Sequence, residues 1–163
     1  MSETVCIYAI RKQKILVDLT GDTPGIPRLS TAGNLGLQRQ DGYHIGKKGD
    51  CECLAFPVPD DAVAPHGMEF IGVRKAFAVL VKSDYALAVR ALGIINWDRT
   101  CRYCSVCGGK LVRHETVLGK NCTSCGFTMF PKISPAVIVL VEKDNQVLLA
   151  RASRVAEHLC SVL

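Results

Sequence analysis

Cys101 to Lys132 reads CRYCSVCGGKLVRHETVLGKNCTSCGFTMFPK, and its cysteines decide how the rest of the chain is organised. Cys104-x-x-Cys107 and Cys122-x-x-Cys125 are two matched pairs, each followed at once by a glycine, Gly108 or Gly126. A tetrahedral zinc site takes four thiolates at about 2.3 Å from one ion, and a Cys-x-x-Cys turn offers two of them with backbone N–H groups facing the sulfurs. The trailing glycine permits the left-handed backbone that closes such a turn. Fourteen residues separate the pairs, enough for a short hairpin that brings the second round to the first. The spacing therefore predicts a structural zinc held by Cys104, Cys107, Cys122 and Cys125.

Other readings of these cysteines compete with that one. Cys101-x-x-Cys104 is an alternative first pair, disfavoured because the glycine follows Cys107. A reactive dithiol explains one pair but not two at matched spacing. A disulfide framework is the weakest alternative, because the nine cysteines are an odd number and no secretory segment is read at the N-terminus. Four sulfurs leave no coordination position for water, so such a zinc builds structure and performs no hydrolysis.

At 163 residues, 48% of them hydrophobic, the chain can bury one sizeable core or two to three small modules. The opening MSETVCIYAIRKQK carries charge and no long apolar run, and the longest apolar runs, such as Ala136 to Val141, are far short of a membrane span. Retained thiols and a zinc site suit a reducing cytoplasm, with no membrane partner expected. The net charge is +5, and seven Lys and Arg against two Asp and Glu between Arg90 and Lys132 account for all of it. A basic ribbon fits a phosphate-bearing partner, nucleotide or RNA. The competing explanation is a solvated surface offsetting the negative zinc tetrathiolate.

The segments before the ribbon read as a mixed α/β domain over residues 1–98. Val5 to Ile10 and Ile15 to Leu19 flank the charged turn Arg11 to Lys14 as a hairpin. Gly21 to Gly49 is rich in turn residues, with one short strand near Tyr43 to Ile45, and Glu52 to Val58 is a further strand. Cys51 and Cys53 on that strand are taken to point to opposite faces and to be ordinary thiols. Met68 to Val81 carries an apolar stripe that predicts a buried helix, or a helix running into a strand. Ser83 and Asp84 are candidate caps for a second helix ending near Asn96 to Arg99. Trp97 is expected to seat the ribbon, residues 99–132, on the domain before it. Beyond Pro135, AVIVLV at 136–141 and VLLA at 147–150 read as two buried strands around the turn Lys143 to Gln146. A single hairpin is marginal in water, so residues 133–163 look like the start of a domain that is not completed here.

The ordered run ALGIINWDRT, CRYCSVCGG, CTSCGFTMFPK, ISPAVIVLVEKDNQVLLARASR and CSVL resembles the NADH pyrophosphatase family of zinc-ribbon Nudix hydrolases. The resemblance is close from about Gly72 onward and faint before it. It implies an α+β fold in which an N-terminal α/β domain and a zinc ribbon precede the first strands of an incomplete Nudix domain. It further implies a homodimer that cleaves NAD(H) to nicotinamide mononucleotide and AMP with Mg²⁺ or Mn²⁺, some members also removing NAD caps from RNA.

The family's zinc ligands fall on Cys104, Cys107, Cys122 and Cys125. A substrate-touching arginine falls on Arg74, for which a solvated helix-face role is the alternative. A family tyrosine falls on Phe130, which keeps a stacking face and lacks the hydroxyl. The expected acidic ribbon residue has no secure match: Glu115 is near, but strict spacing lands on Val117. His114 and His158 are weaker acid–base candidates. The carboxylate-bearing Nudix box does not occur in these residues, and Glu142 and Glu157 stand alone. Hydrolysis of a pyrophosphate needs clustered acids to hold hard cations, so this chain by itself is expected to be inactive. The alternative functions are a zinc-ribbon nucleic-acid-binding module and a regulatory interaction fragment. Against the nucleic-acid module, the ribbon is read as lacking interleaved aromatics for base stacking.

Overall fold

A computed structural model describes residues 5–31, 33–132, 135–153, 156, 158 and 160–162. Glu157, residues 133–134 at the expected start of the last segment and Leu163 lie outside the described residues. The chain forms two compact units, residues 1–131 and 132–163.

The first unit is built on a five-stranded sheet. Its strands are β1 (Val5–Arg11), β2 (Lys14–Asp18), β3 (Tyr43–Lys48), β4 (Cys51–Pro57) and β5 (Met68–Gly72), in the spatial order β3-β4-β1-β2-β5. β1 and β4 run parallel, and the other neighbours are antiparallel. β1 and β4 lie at the centre and are buried on both faces, which is why VCIYAI and CLAF read as unbroken apolar runs. On one face, Tyr8, Ile10, Ile15, Val17, Cys53 and Ala55 pack against the helices. On the other, Ile7, Leu54 and Phe56 are covered by Leu29, Leu35 and Leu37, so the Gly- and Pro-rich connection from residue 21 to 42 closes the back of the sheet.

Two helices follow, α1 (Val73–Val79) and α2 (Lys82–Thr100). The stripe from Met68 to Val81 is therefore not one helix. Met68 to Gly72 pairs with β2 in register from Asp18↔Met68 to Lys14↔Gly72, and only then does the backbone turn helical. Phe70 and Ile71 are adjacent and both buried because the sheet is covered on both sides, a pattern that helical spacing mimics. Phe77, an apolar residue within that stretch, is 69% exposed. The N-cap of α2 is Val81, with no side-chain cap. Asp84 is buried instead and accepts a hydrogen bond from Lys48 Nζ at 2.6 Å, tying the first turn of α2 to β3.

The reading of Cys51 and Cys53 is corrected. Residues two apart on a strand share a face, and both lie on the helix side of β4. Cys51 is disulfide-bonded to Cys6 of β1, with the Cα atoms 6.2 Å apart, while Cys53 is a buried free thiol. Two strands adjacent in one sheet bring the pair within bonding reach despite 45 residues of separation.

In the second unit, β9 (Glu142–Lys143) and β10 (Gln146–Val147) pair around Asp144 and Asn145, whose φ of 47° and 62° make a two-residue hairpin turn. The turn forms as read, but Ala136 to Val141 is not a strand, and Val137 and Ile138 are 81% and 83% exposed. A continuous apolar strand requires neighbours over both faces. None is present among the described residues of this unit.

Candidate metal centre

Three short strands, β6 (Leu111–Arg113), β7 (Lys120–Cys122) and β8 (Thr128–Met129), form an antiparallel sheet that carries the four cysteines. The two Cys-x-x-Cys turns repeat the same backbone pattern. Gly108 N–H donates to Cys104 O and Gly126 N–H to Cys122 O, each at 3.0 Å, and the two glycines have φ of 74° and 73°. Cys104 N–H donates to Gly109 O at 2.8 Å, and Cys122 N–H to Phe127 O at 2.9 Å. Inside the turns, Val106 N–H faces Cys104 Sγ and Ser124 N–H faces Cys122 Sγ, both at 3.4 Å.

The four sulfurs lie within 4.8 Å of one another. Cys104 to Cys125 is 3.8 Å and Cys107 to Cys122 is 3.5 Å. Metal–sulfur bonds of about 2.3 Å at tetrahedral angles put sulfurs about 3.8 Å apart, so the donor set fits one tetrahedral ion. Cys101 is not among them; its sulfur lies 4.0 Å from Met129 Sδ, against the small core of Leu111 and Met129. Gly109, the second of the two glycines after Cys107, has its own function. A Cβ there would stand 2.9 Å from Cys122 Sγ and 2.8 Å from Ser124 Cβ, so its absence lets the two turns close on each other.

The backbone N–H groups of Cys125 and then Ser124 hold the Cys122 thiol down at about 6. The N–H of Phe127 pulls Cys125 the same way, but hydrogen bonding with Cys107, loss of solvent, and the bonds with Cys122 and Cys104 together outweigh it and raise Cys125. A cluster in which one thiol ionises while its neighbour keeps a proton is arranged for a cation to replace those protons.

The ribbon is joined to the first domain by buried contacts. Lys120 of β7 is 6% exposed, and its ammonium meets Asp98 Oδ1 at 2.7 Å, Asp98 O at 2.6 Å and Cys101 O at 2.9 Å. It also lies 5.3 Å over the ring of the buried Trp97. Arg113 donates to Asp41 O at 3.0 Å and to Gly42 O, and its guanidinium stacks 3.9 Å over Tyr43. Tyr43 Oη donates to Asp98 at 2.6 Å, and burial followed by that bond pushes the phenol well above its usual range.

A family model described as NADH pyrophosphatase-like rudimentary NUDIX domain matches residues 4–97. The chain belongs to the NADH pyrophosphatase-like Nudix family. The NAD-capped RNA hydrolase NudC of Deinococcus radiodurans is 28% identical over 160 residues, 96% of this chain and 54% of the relative. That of Chromobacterium violaceum is 33% identical over 126 residues, 77% of this chain and 46% of the relative. That of Pseudomonas aeruginosa is 39% identical over 106 residues, 64% and 37%. The chain spans about half the length of the curated relatives it matches. In this NADH pyrophosphatase-like chain the five-stranded domain is itself Nudix-like, which the sequence described only as mixed α/β.

The remaining candidate residues are dispersed. Arg74 is exposed on the first turn of α1, and Phe130 is 58% exposed after β8, its ring against Gly119. Neither lines the 690 Å³ cleft between β3, β4 and the 114–118 loop, where His114, Glu115 and Val117 are found. His114 Nδ1 accepts from Thr116 N–H at 3.2 Å. His158 is exposed in the second unit. The reading of the ribbon as lacking interleaved aromatics is corrected: Tyr103, Phe127 and Phe130 are all exposed on it, Tyr103 at 69%.

Proposed function

We propose that this chain is the N-terminal part of a Nudix hydrolase that cleaves the pyrophosphate of NAD(H) to nicotinamide mononucleotide and AMP and also acts on NAD-capped RNA. The observation that carries this reading is the 160-residue alignment to a NAD-capped RNA hydrolase, running through both the rudimentary domain and the ribbon. Zinc is the ion assigned to Cys104, Cys107, Cys122 and Cys125, because four thiolates at tetrahedral separations are its preferred structural set. Mg²⁺ or Mn²⁺ belongs to the complete enzyme, where clustered carboxylates hold it; these 163 residues carry no Nudix box and are inactive alone. Arg74 and Phe130 are assigned to substrate, Arg74 through charge and Phe130 through an exposed ring that can stack on a base.

The enzyme is a cytoplasmic homodimer in this reading. Phe77, Val81 and Val89 leave apolar area exposed on α1, α2 and the residues between them, which a second subunit can cover. No helix among the described residues is long and apolar enough to cross a membrane. The test is turnover of NADH with Mn²⁺ by this chain and by the same chain extended through its downstream reading frame. Turnover by the extended chain alone is expected, and an extended chain that leaves NADH intact overturns the assignment.

A further inference from the structure

The junction of α2 with the first cysteine turn encloses a hollow of about 450 Å³, lined among others by Arg99, Arg102, Tyr103, Lys110 and Lys120. Its charges differ in kind. Lys120 and Asp98 neutralise each other. Arg99, Arg102 and Lys110 make no ion pair among the described residues; Arg102 Nε donates only to Arg99 O, at 3.1 Å. Three unneutralised cations thus border one opening.

Tyr103 stands at the rim, 69% exposed. Its backbone is fixed from both sides. Tyr103 and Lys110 form an antiparallel bridge, Leu111 N–H donates to Arg102 O at 3.0 Å, and Cys104 N–H donates to Gly109 O at 2.8 Å. Directly opposed residues of an antiparallel bridge present their side chains on one face, so the Tyr103 ring and the Lys110 side chain share a face beside the hollow. The turn that holds them is closed by Cys104 and Cys107 of the metal cluster. A rigid, solvent-facing ring among unpaired cations is the combination that binds single-stranded nucleic acid, with bases stacking on the ring and phosphates on the charges.

The larger 690 Å³ cleft offers less, because Arg39 is paired with Glu52 at 2.6 Å and Arg113 is engaged with Tyr43 and two backbone carbonyls. We propose that the hollow at Arg99, Arg102, Tyr103 and Lys110 is a binding site for single-stranded RNA, one base stacking on Tyr103 and adjacent phosphates pairing with the three cations. The choice of RNA rests on the proposed function above; the site itself requires no cap and no hydrolysis. It holds the strand through stacking and charge, so it is tolerant of sequence.

Fluorescence anisotropy of this chain with an uncapped, labelled ten-nucleotide RNA tests it. Tyr103→Ala is expected to weaken binding roughly fivefold to a hundredfold, the value of one base stacked on an aromatic ring, while Tyr103→Phe retains it. Arg102→Ala and Lys110→Ala should each reduce the slope of log affinity against log salt by about 0.7, whereas Lys82→Ala, remote on α2, leaves it unchanged. Metal content measured on each variant identifies any loss of fold. Binding unaffected by Tyr103→Ala, or a slope altered as much by Lys82→Ala as by Lys110→Ala, overturns the site. An extended chain that hydrolyses NADH but binds RNA regardless of Tyr103 removes this inference alone. One that binds through Tyr103 and never cleaves NADH removes the hydrolase assignment alone.

Discussion

Lys120 and Asp98 form an ion pair of 2.7 Å between the ribbon and the last turns of α2, and the ammonium is almost entirely removed from water. Its three N–H donors meet three oxygens, two from Asp98 and one from Cys101, so no donor is left unsatisfied. A pair so enclosed contributes mainly by fixing geometry, but removing one partner strands the other charge. Lys120→Met should therefore destabilise the first unit by about 3 kcal/mol, toward the low end for an orphaned buried charge because Asp98 keeps some contact with solvent. In guanidinium titrations the double variant Lys120→Met, Asp98→Asn should lose less than the sum of the singles, by about 1 kcal/mol. Strict additivity would show that the two residues do not act together.

The four-cysteine cluster predicts a stoichiometry. Purified chain should carry one metal ion, and Cys104→Ala or Cys122→Ala should abolish it. Cys101→Ala should not, since its sulfur contacts Met129 and lies outside the cluster. Elemental analysis of the variants measures this, and far-UV circular dichroism should retain the signal of the five-stranded sheet in all of them. A metal-free Cys101→Ala chain with Cys104→Ala still loaded would reassign the first pair.

What the sequence disclosed depended on how local each signal is. The cluster was legible because two short turns with trailing glycines specify sulfur positions almost by themselves, and the β1–β2 hairpin because its turn is charged and its flanks are mainly apolar. Four features were hidden for physical reasons. β5 carried helical spacing because burial on both faces of a sheet places apolar residues side by side, as at Phe70 and Ile71. Asp84 resembled a cap because its type suits caps, while its carboxylate is used by Lys48 from a strand 36 residues away. The Cys6–Cys51 bond depends on β1 and β4 being neighbours, which no spacing along the chain reveals. Tyr103 becomes a candidate through its accessibility, which residue type alone does not disclose.

Acid should release the metal. The Cys122 thiol is held below its ordinary value of 9.0, at about 6, by the N–H groups of Cys125 and Ser124. A depressed thiol favours the thiolate above that pH and takes up a proton as pH falls through it, so its contribution to binding is present near pH 7 and diminishes below about 6. A chromophoric chelator followed across pH 8 to 4 should report slow release at the alkaline end and rapid release at the acid end. Release that is independent of pH would mean that thiolates are not the ligands.

The bond between Cys6 and Cys51 has a nearby competitor in Cys53, which is paired in register with Cys6 and lies on the same face of β4 as Cys51. Burial pushes the Cys53 thiol up, and exchange proceeds through thiolate, so Cys53 should remain outside the bridge. Aerobically purified chain, denatured and stripped of metal, should expose seven alkylatable thiols, with the other two appearing after reduction. Non-reducing peptide mapping should join Cys6 to Cys51, and Cys53→Ser should leave that bridge in place. Closing a loop of 45 residues is worth up to about 4 kcal/mol by chain entropy, so reduction should lower the guanidinium midpoint measurably. Nine reactive thiols before reduction, or a mapped bridge containing Cys53, would show that this edge of the sheet is joined differently.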